Sequence, residues 1–133
     1  MNTPTIPARI RIIIVDDHDM LRRGLITFLS AFPDLEFAGE ASNGRDAIDL
    51  CANSLPDVAL VDLKMPIMEG VDAIPRMKAV HPALRVIALT SFSEPELVQA
   101  ALKAGADSYL LKNVSANALA EAIRACRDHL STF

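Results

Sequence analysis

Three carboxylates, a hydroxyl and an ammonium stand directly after short apolar runs of this chain. The run Ile10–Val15 (IRIIIV) ends in Asp16 and Asp17, and Val58–Val61 (VALV) ends in Asp62. Leu84–Leu89 (LRVIAL) ends in Thr90, and Ser108–Leu111 (SYLL) ends just before Lys112. Carboxylates brought together repel and raise one another's pKa. Asp16, Asp17 and Asp62 sum to -3, and Lys112 returns only +1. A hard divalent cation would offset the deficit. All-oxygen donors with positions left to water suit Mg²⁺ better than Zn²⁺, which prefers Cys and His. Such an ion could neutralise an incoming phosphoryl group and leave one carboxylate as nucleophile. Lys112 is a point charge for a phosphate oxygen, and the Thr90 hydroxyl can donate to another. The set fits phosphoryl transfer to an aspartate. Taken singly, an Asp after a strand is usually a turn or a helix cap, and a Thr there is usually a strand former. Their joint placement on four strand ends carries the functional reading.

These residues need a frame that brings the strand ends together. Residues 1–8, with Pro4 and Pro7, read as a flexible lead-in, and 9–133 as one domain. Ile10–Val15 is β-branched and continuous, as a strand buried on both faces should be. Leu21, Leu25, Phe28 and Leu29 mark the apolar face of a first helix. Leu35–Ala41 is a weaker strand, Ser42, Asn43 and Gly44 a turn, and Ala47, Ile48 and Cys51 one face of a second helix. A third helix should follow Gly70, with Pro75 awkwardly near its first turns. Ser93 and Glu96 have capping-box spacing for a fourth helix that ends at Gly105. Ser115 can cap a fifth, whose face is Leu119, Ile123, Cys126 and Leu130. Five strand–helix pairs predict an α/β three-layer sandwich around a parallel sheet. With the strands in the flavodoxin-like order 2-1-3-4-5, strands one and three are neighbours at the switch point, where sites form.

Composition narrows the function. Aromatics are 5% and hydrophobic residues 51%, so the core must be aliphatic. A net charge of -4 without a long basic run argues against direct binding of nucleic acid by this segment. No apolar stretch approaches the roughly 20 residues that span a bilayer, and the N-terminus lacks the apolar core of a signal peptide. Cys51 and Cys126 form no disulfide framework or metal motif and read as reduced thiols of a cytoplasmic protein.

The stretches IIIVDDHDMLRRGL, VALVDLKMPIMEG, VIALTSF and ALKAGADSYLLKN resemble the receiver domains of two-component response regulators, in particular the LuxR/NarL-type branch. The resemblance runs from about Arg9 to about Leu130. It implies that Asp62 is the phosphoacceptor. It also implies that Asp17, Asp62 and the Lys64 backbone carbonyl hold Mg²⁺, with Asp16 acting mainly through a metal-bound water. Thr90 would be the switch hydroxyl, Tyr109 the switch aromatic and Lys112 the phosphate-binding lysine. Met65-Pro66 and Gly70 match the loop after the phosphoacceptor. Asn113 stands where many receivers have proline, which this branch often lacks, and Pro75 is atypical. The implied partners are a sensor histidine kinase, a second copy on phosphorylation, and DNA only through a C-terminal helix-turn-helix domain beyond Phe133. No membrane contact is implied.

Three rivals are weaker. Asp17-His18-Asp19 has the spacing of a haloacid-dehalogenase-type phosphohydrolase, but Met20-Leu21 replaces the expected Gly-Thr. In a flavodoxin-like cofactor binder, Asp16 and Asp17 would repel the cofactor phosphate unless a metal intervened. A degenerate receiver that only binds partners would lose the acidic pair, the acceptor or the lysine, and all are present. His18, His81 and His129 are read as structural, with His18 at the first helix cap or the site rim. Arg22 and Arg23 read as a solvated helix face, and Met65 and Met68 as loop packing.

Overall fold

The structure, a computed structural model, describes residues 9–65, 67–91 and 94–128. Strands and helices alternate along them. The order is β1 (Ile10–Val15), α1 (Asp19–Ser30), β2 (Leu35–Ala41), α2 (Gly44–Ser54), β3 (Val58–Asp62), α3 (Gly70–Val80), β4 (Arg85–Thr90), α4 (Pro95–Ala104), β5 (Ser108–Leu111) and α5 (Ala116–Asp128). All strand pairs are parallel, and the sheet order is β2-β1-β3-β4-β5. The α/β sandwich and its strand order are those the sequence predicts.

Strand alternation divides the core between the two faces of the sheet. Ile10, Ile12 and Ile14 pack with Leu25 and Leu29 of α1 and Leu119, Ile123 and Cys126 of α5. Ile13 and Val15 face the other way, with Ala47 and Cys51 of α2, Ala73, Ile74 and Met77 of α3, and Ala101 of α4. Both cysteines are free and buried, and burial pushes the Cys51 thiol up to about 12 and the Cys126 thiol up to about 11. Neither is a reactive thiolate, in keeping with a core role. β5 differs from the inner strands. It pairs only with β4, and Tyr109 and Leu111 are exposed on it.

Several local expectations shift. β3 runs one residue further, so Asp62 is its last residue, and β4 ends on Thr90 itself. Asn43 is the N-cap of α2, its side chain accepting from the Asp46 amide at 2.9 Å, and Gly44 already belongs to the helix. The predicted turn is therefore shorter. Pro75 lies within α3, and the helix continues past it to Val80. Pro75 faces solvent. Ser93, expected to cap α4, lies outside the described residues, as do Pro66, His129, Leu130 and 1–8. The residue before α4 is Glu94, without a side-chain cap bond, and Pro95 takes the first helical position. That placement costs nothing, because the missing N–H would be unpaired there anyway. Gly105 ends α4 at φ 120, and Ser115 caps α5 by accepting from the Ala118 amide at 3.1 Å, both as predicted.

Candidate functional site

Strand register assembles the site. Val15 lies opposite Val61, so Asp16 and Asp62 follow side by side where the chain leaves β1 and β3. Asp62 pairs with Leu89, which brings Thr90 beside it, and the Lys112 amide donates to the Thr90 carbonyl at 2.9 Å. The four strand-end positions singled out in the sequence thus share one edge of the sheet.

Lys112 Nζ is 3.0 Å from Asp62 Oδ1 and 3.9 Å from Asp16 Oδ2. The Asp16 and Asp62 side chains are buried, and that of Asp17 is 30% exposed. Burial holds the Asp62 carboxyl above its ordinary value; Lys112 opposes the shift and Asp16 adds to it. Asp62 Oδ1 also accepts from the Lys64 amide at 3.2 Å. The contact made by the Lys64 backbone is therefore through its N–H. Asp16 Oδ1 accepts from the His18 amide at 2.8 Å. Three oxygens, Asp16 Oδ2, Asp17 Oδ1 and Asp62 Oδ2, are buried without a hydrogen-bond partner among the described residues. Orphaned carboxylate oxygens are costly in a folded protein. One such atom on each of three converging carboxylates is a donor set that fits a hard divalent cation.

The loop between β3 and α3 is closed tightly over Asp62. A Cβ on Gly70 would lie 2.4 Å from the Asp62 carbonyl oxygen and 2.9 Å from Leu63 Cα, so only glycine fits. Met65 and Met68 pack into the core beneath it, as expected. Thr90 is buried, and its hydroxyl donates to the Ser91 carbonyl at 2.9 Å. Thr90 lines two spaces at once. One, of about 100 Å³, contains Asp62, Lys64 and Lys112. The other is a groove of about 350 Å³ along α4 and β5 that contains Tyr109. Tyr109 is 51% exposed and turned outward.

Two side chains near the site, Arg22 and Lys64, take places the sequence did not assign, and His18 stands at the helix start and site rim as expected. Arg22, expected on a solvated face, is only 13% exposed. It donates to Glu40 Oε1 at 2.7 Å and to the Asp16 carbonyl at 2.6 Å, tying α1 and β2 to the acidic turn. Arg23 is exposed as expected. Lys64 Nζ meets Glu94 Oε2 at 2.6 Å, linking the loop after Asp62 to the start of α4. His18 precedes α1 and places its ring beside Asp16 and Asp17. His81 lies elsewhere, with Nε2 2.6 Å from the Pro56 carbonyl.

Known proteins resemble this chain in sequence and fold. The response regulator receiver domain model matches residues 12–124. The response regulator protein VraR of Staphylococcus saprophyticus is 42% identical over 124 residues, covering 93% of this chain and 59% of VraR. The chain thus spans about three-fifths of the length of the curated relatives it matches. The signal receiver domain of the putative response regulator NarL from Mycobacterium tuberculosis superposes with a TM-score of 0.87 at 33% identity, covering 92% of this chain and 98% of that one. A LuxR-family DNA-binding response regulator from Staphylococcus aureus gives 0.81 at 30%, covering 88% and 98%. On the match over most of its length, the chain belongs to the response regulator receiver domain family.

Proposed function

We propose that Asp62 is the phosphoacceptor of this receiver domain and that its phosphorylation controls an output module. The observation that supports this best is the pairing of Lys112 with a buried Asp62 beside orphaned oxygens on Asp16 and Asp17. Asp62 would keep one carboxylate oxygen for a divalent ion and attack through the other. In transfer from a sensor kinase phosphohistidine, that oxygen forms a bond to phosphorus as the phosphorus–nitrogen bond breaks. The electron pair leaves with the imidazole. Asp16, Asp17 and Asp62, with the Lys64 carbonyl, would hold Mg²⁺, which supplies charge neutralisation for the phosphoryl oxygens. Lys112 sits where it can bind one phosphoryl oxygen and hold the group in line. Slow hydrolysis of the acyl phosphate by water completes the cycle and makes the domain its own catalyst.

Thr90 is the link to output. Its hydroxyl can turn from the Ser91 carbonyl towards a phosphoryl oxygen, which frees volume for Tyr109 to move inward. That exchange would reshape the surface of α4, β5 and α5. Any such switch acts through a difference in affinity or strain between two states. The same reading gives dimerisation on phosphorylation, through that face or through α1 and α5. DNA control would then fall to a helix-turn-helix domain following this one. Membership of the family supports a sensor kinase partner and a cytoplasmic location. Among the described residues, no helix is long and apolar enough to cross a membrane.

The test is labelling with acetyl phosphate and Mg²⁺. The wild type should take one phosphoryl group, and beryllofluoride should mimic it. Asp62→Asn should take none, because an amide is not a nucleophile. Lys112→Ala should lose a charge-assisted contact worth about 1.5–3 kcal/mol. Sedimentation with and without beryllofluoride checks dimerisation. Labelling of Asp62→Asn at the wild-type rate would show that the acceptor is another residue.

A further inference from the structure

His18 places a nitrogen among the site's oxygens. Its Nδ1 is hydrogen-bonded to Asp16 Oδ1 at 3.0 Å, a bond that an ion would replace, and lies 3.3 Å from Asp17 Oδ1 and 3.9 Å from Asp62 Oδ2. The last two oxygens are among those without a hydrogen-bond partner. One ligand atom from each of Asp16, Asp17, His18 and Asp62 lies within 4.8 Å of all the others. The position follows from the backbone. His18 is extended before α1 at φ -92 and ψ 107, and its amide is held by Asp16 Oδ1. The ring's own hydrogen bond from Nδ1 to Asp16 Oδ1 holds it over the acidic turn, and the side chain makes no cap bond to the helix. The ring is 63% exposed, so an ion can reach it from solvent without opening the fold.

Imidazole changes which metals a carboxylate site favours. Mg²⁺ is hard, takes oxygen ligands and keeps several waters. Imidazole suits first-row transition ions, whose affinity rises from Mn²⁺ through Co²⁺ and remains high at Zn²⁺. We propose that His18 is a nitrogen ligand that gives this site a binding mode for borderline transition ions, distinct from the all-oxygen mode of Mg²⁺. The proposal rests on the phosphoacceptor reading for the three carboxylates and adds a fourth donor to them. A second observation concerns the two buried carboxylates that face the ring. Asp16 Oδ2 and Asp62 Oδ2 belong to side chains only 0% and 2% exposed, and both lack a partner. A tetrahedral Zn²⁺ held by four protein ligands would leave no coordination position for a phosphoryl oxygen. Zn²⁺ should therefore compete with Mg²⁺ and suppress labelling of Asp62.

The experiment uses the chain as given, with His18→Ala and His18→Asn, each checked for the wild-type circular dichroism spectrum. Calorimetric titrations with Mg²⁺, Co²⁺ and Zn²⁺ give the affinities, and pulsed electron paramagnetic resonance of the Mn²⁺ form reports any coupled nitrogen. The wild type should show coupling to an imidazole ¹⁴N, and both variants should lose it. Even outer partners of metal ligands typically change affinity about 10–100-fold, so losing a direct one should weaken Co²⁺ and Zn²⁺ by about tenfold or more. Mg²⁺ affinity should stay unchanged. Zn²⁺ should suppress Mg²⁺-supported labelling in the wild type more than in either variant. A wild-type Mn²⁺ form without nitrogen coupling, or an equal loss of Mg²⁺ and Zn²⁺ affinity in the variants, overturns the role of His18. If Mg²⁺ still binds and Asp62 is still labelled, the phosphoacceptor reading survives that result. Failure of every ion to bind the wild type overturns both.

Discussion

The two edges of the sheet use aspartate in opposite ways. At the edge where the strands begin, Asp57 and Asp107 each stand one residue before a strand, and each hooks that strand to its neighbour twice. The Asp57 amide donates to the Arg11 carbonyl at 2.8 Å, and its carboxylate accepts from the Arg11 amide at 2.8 Å. Asp107 repeats this with Val86, again at 2.8 Å in both directions, and adds Lys78 at 3.0 Å and Arg85 at 3.5 Å. Asp34, one residue before β2, receives the Ile10 amide on its carbonyl and the Arg124 guanidinium on its carboxylate. Each of these carboxylates has a partner within the protein. At the edge where strands end, Asp16, Asp17 and Asp62 are gathered with one ammonium between them, and each keeps an oxygen with no partner. One edge satisfies its charges within the protein and stabilises the fold. The other leaves them for a ligand.

That contrast predicts opposite consequences of substitution. The largest effect should come from Gly70→Ala, which drives a Cβ to within 2.4 Å of the Asp62 carbonyl oxygen. Backbone is on both sides of the clash, so the loop must shift. Overpacking of this kind costs about 1–3 kcal/mol, and here it should also displace Asp62. Urea denaturation should detect the loss, and acetyl phosphate labelling should slow. Labelling at the wild-type rate would show that the loop adapts without moving the acceptor. The next effect belongs to the satisfied edge. Asp107→Ala leaves the buried Val86 amide without its acceptor and frees two cations, and should cost about 1–3 kcal/mol. Mg²⁺ binding, at the far edge of the sheet, should be unchanged. A loss of Mg²⁺ affinity would mean that the two edges are coupled.

Much of this was legible in the sequence, for physical reasons. A strand buried on both faces must be a continuous apolar run, and the residue that breaks the run marks the edge of the sheet. That placed Asp16, Asp62, Thr90 and Lys112 together. Side-chain direction beyond the strand ends was not legible. Arg22 turns inward because Glu40, from another strand, stands opposite it, and no spacing within α1 encodes that pairing. The ring of His18 is set by a hydrogen bond between its Nδ1 and Asp16 Oδ1, and the Thr90 hydroxyl is turned to its own neighbour's carbonyl. The strand-start aspartates were overlooked because a single Asp before an apolar run also fits an ordinary turn. Their recurrence at 34, 57 and 107 was the available signal.

The smallest expected effect tests the comparison most directly, because it makes a substitution at the site stabilising. With metal removed by chelator, Asp62→Asn takes one charge from the gathered carboxylates while keeping an oxygen for Lys112. Burial holds Asp62 above its ordinary value of 3.8 in the folded chain. A raised acid contributes stability that is fully present below the unfolded value and is lost as pH rises through the folded value. At neutral pH the charged Asp62 is therefore a burden that the variant lacks. Its Tm should exceed the wild type's by a few degrees, about 1 kcal/mol or less. The gap should narrow as pH falls towards the ordinary carboxylate value and close below it, where Asp62 is neutral in both states. Saturating Mg²⁺ should reverse it, since an ion bound only by the folded wild type stabilises that form by mass action. Thermal unfolding with chelator from pH 4 to 8, and with Mg²⁺ at neutral pH, measures all three trends. A wild type more stable than Asp62→Asn at neutral pH without metal would place Asp62 with the satisfied aspartates of the opposite edge.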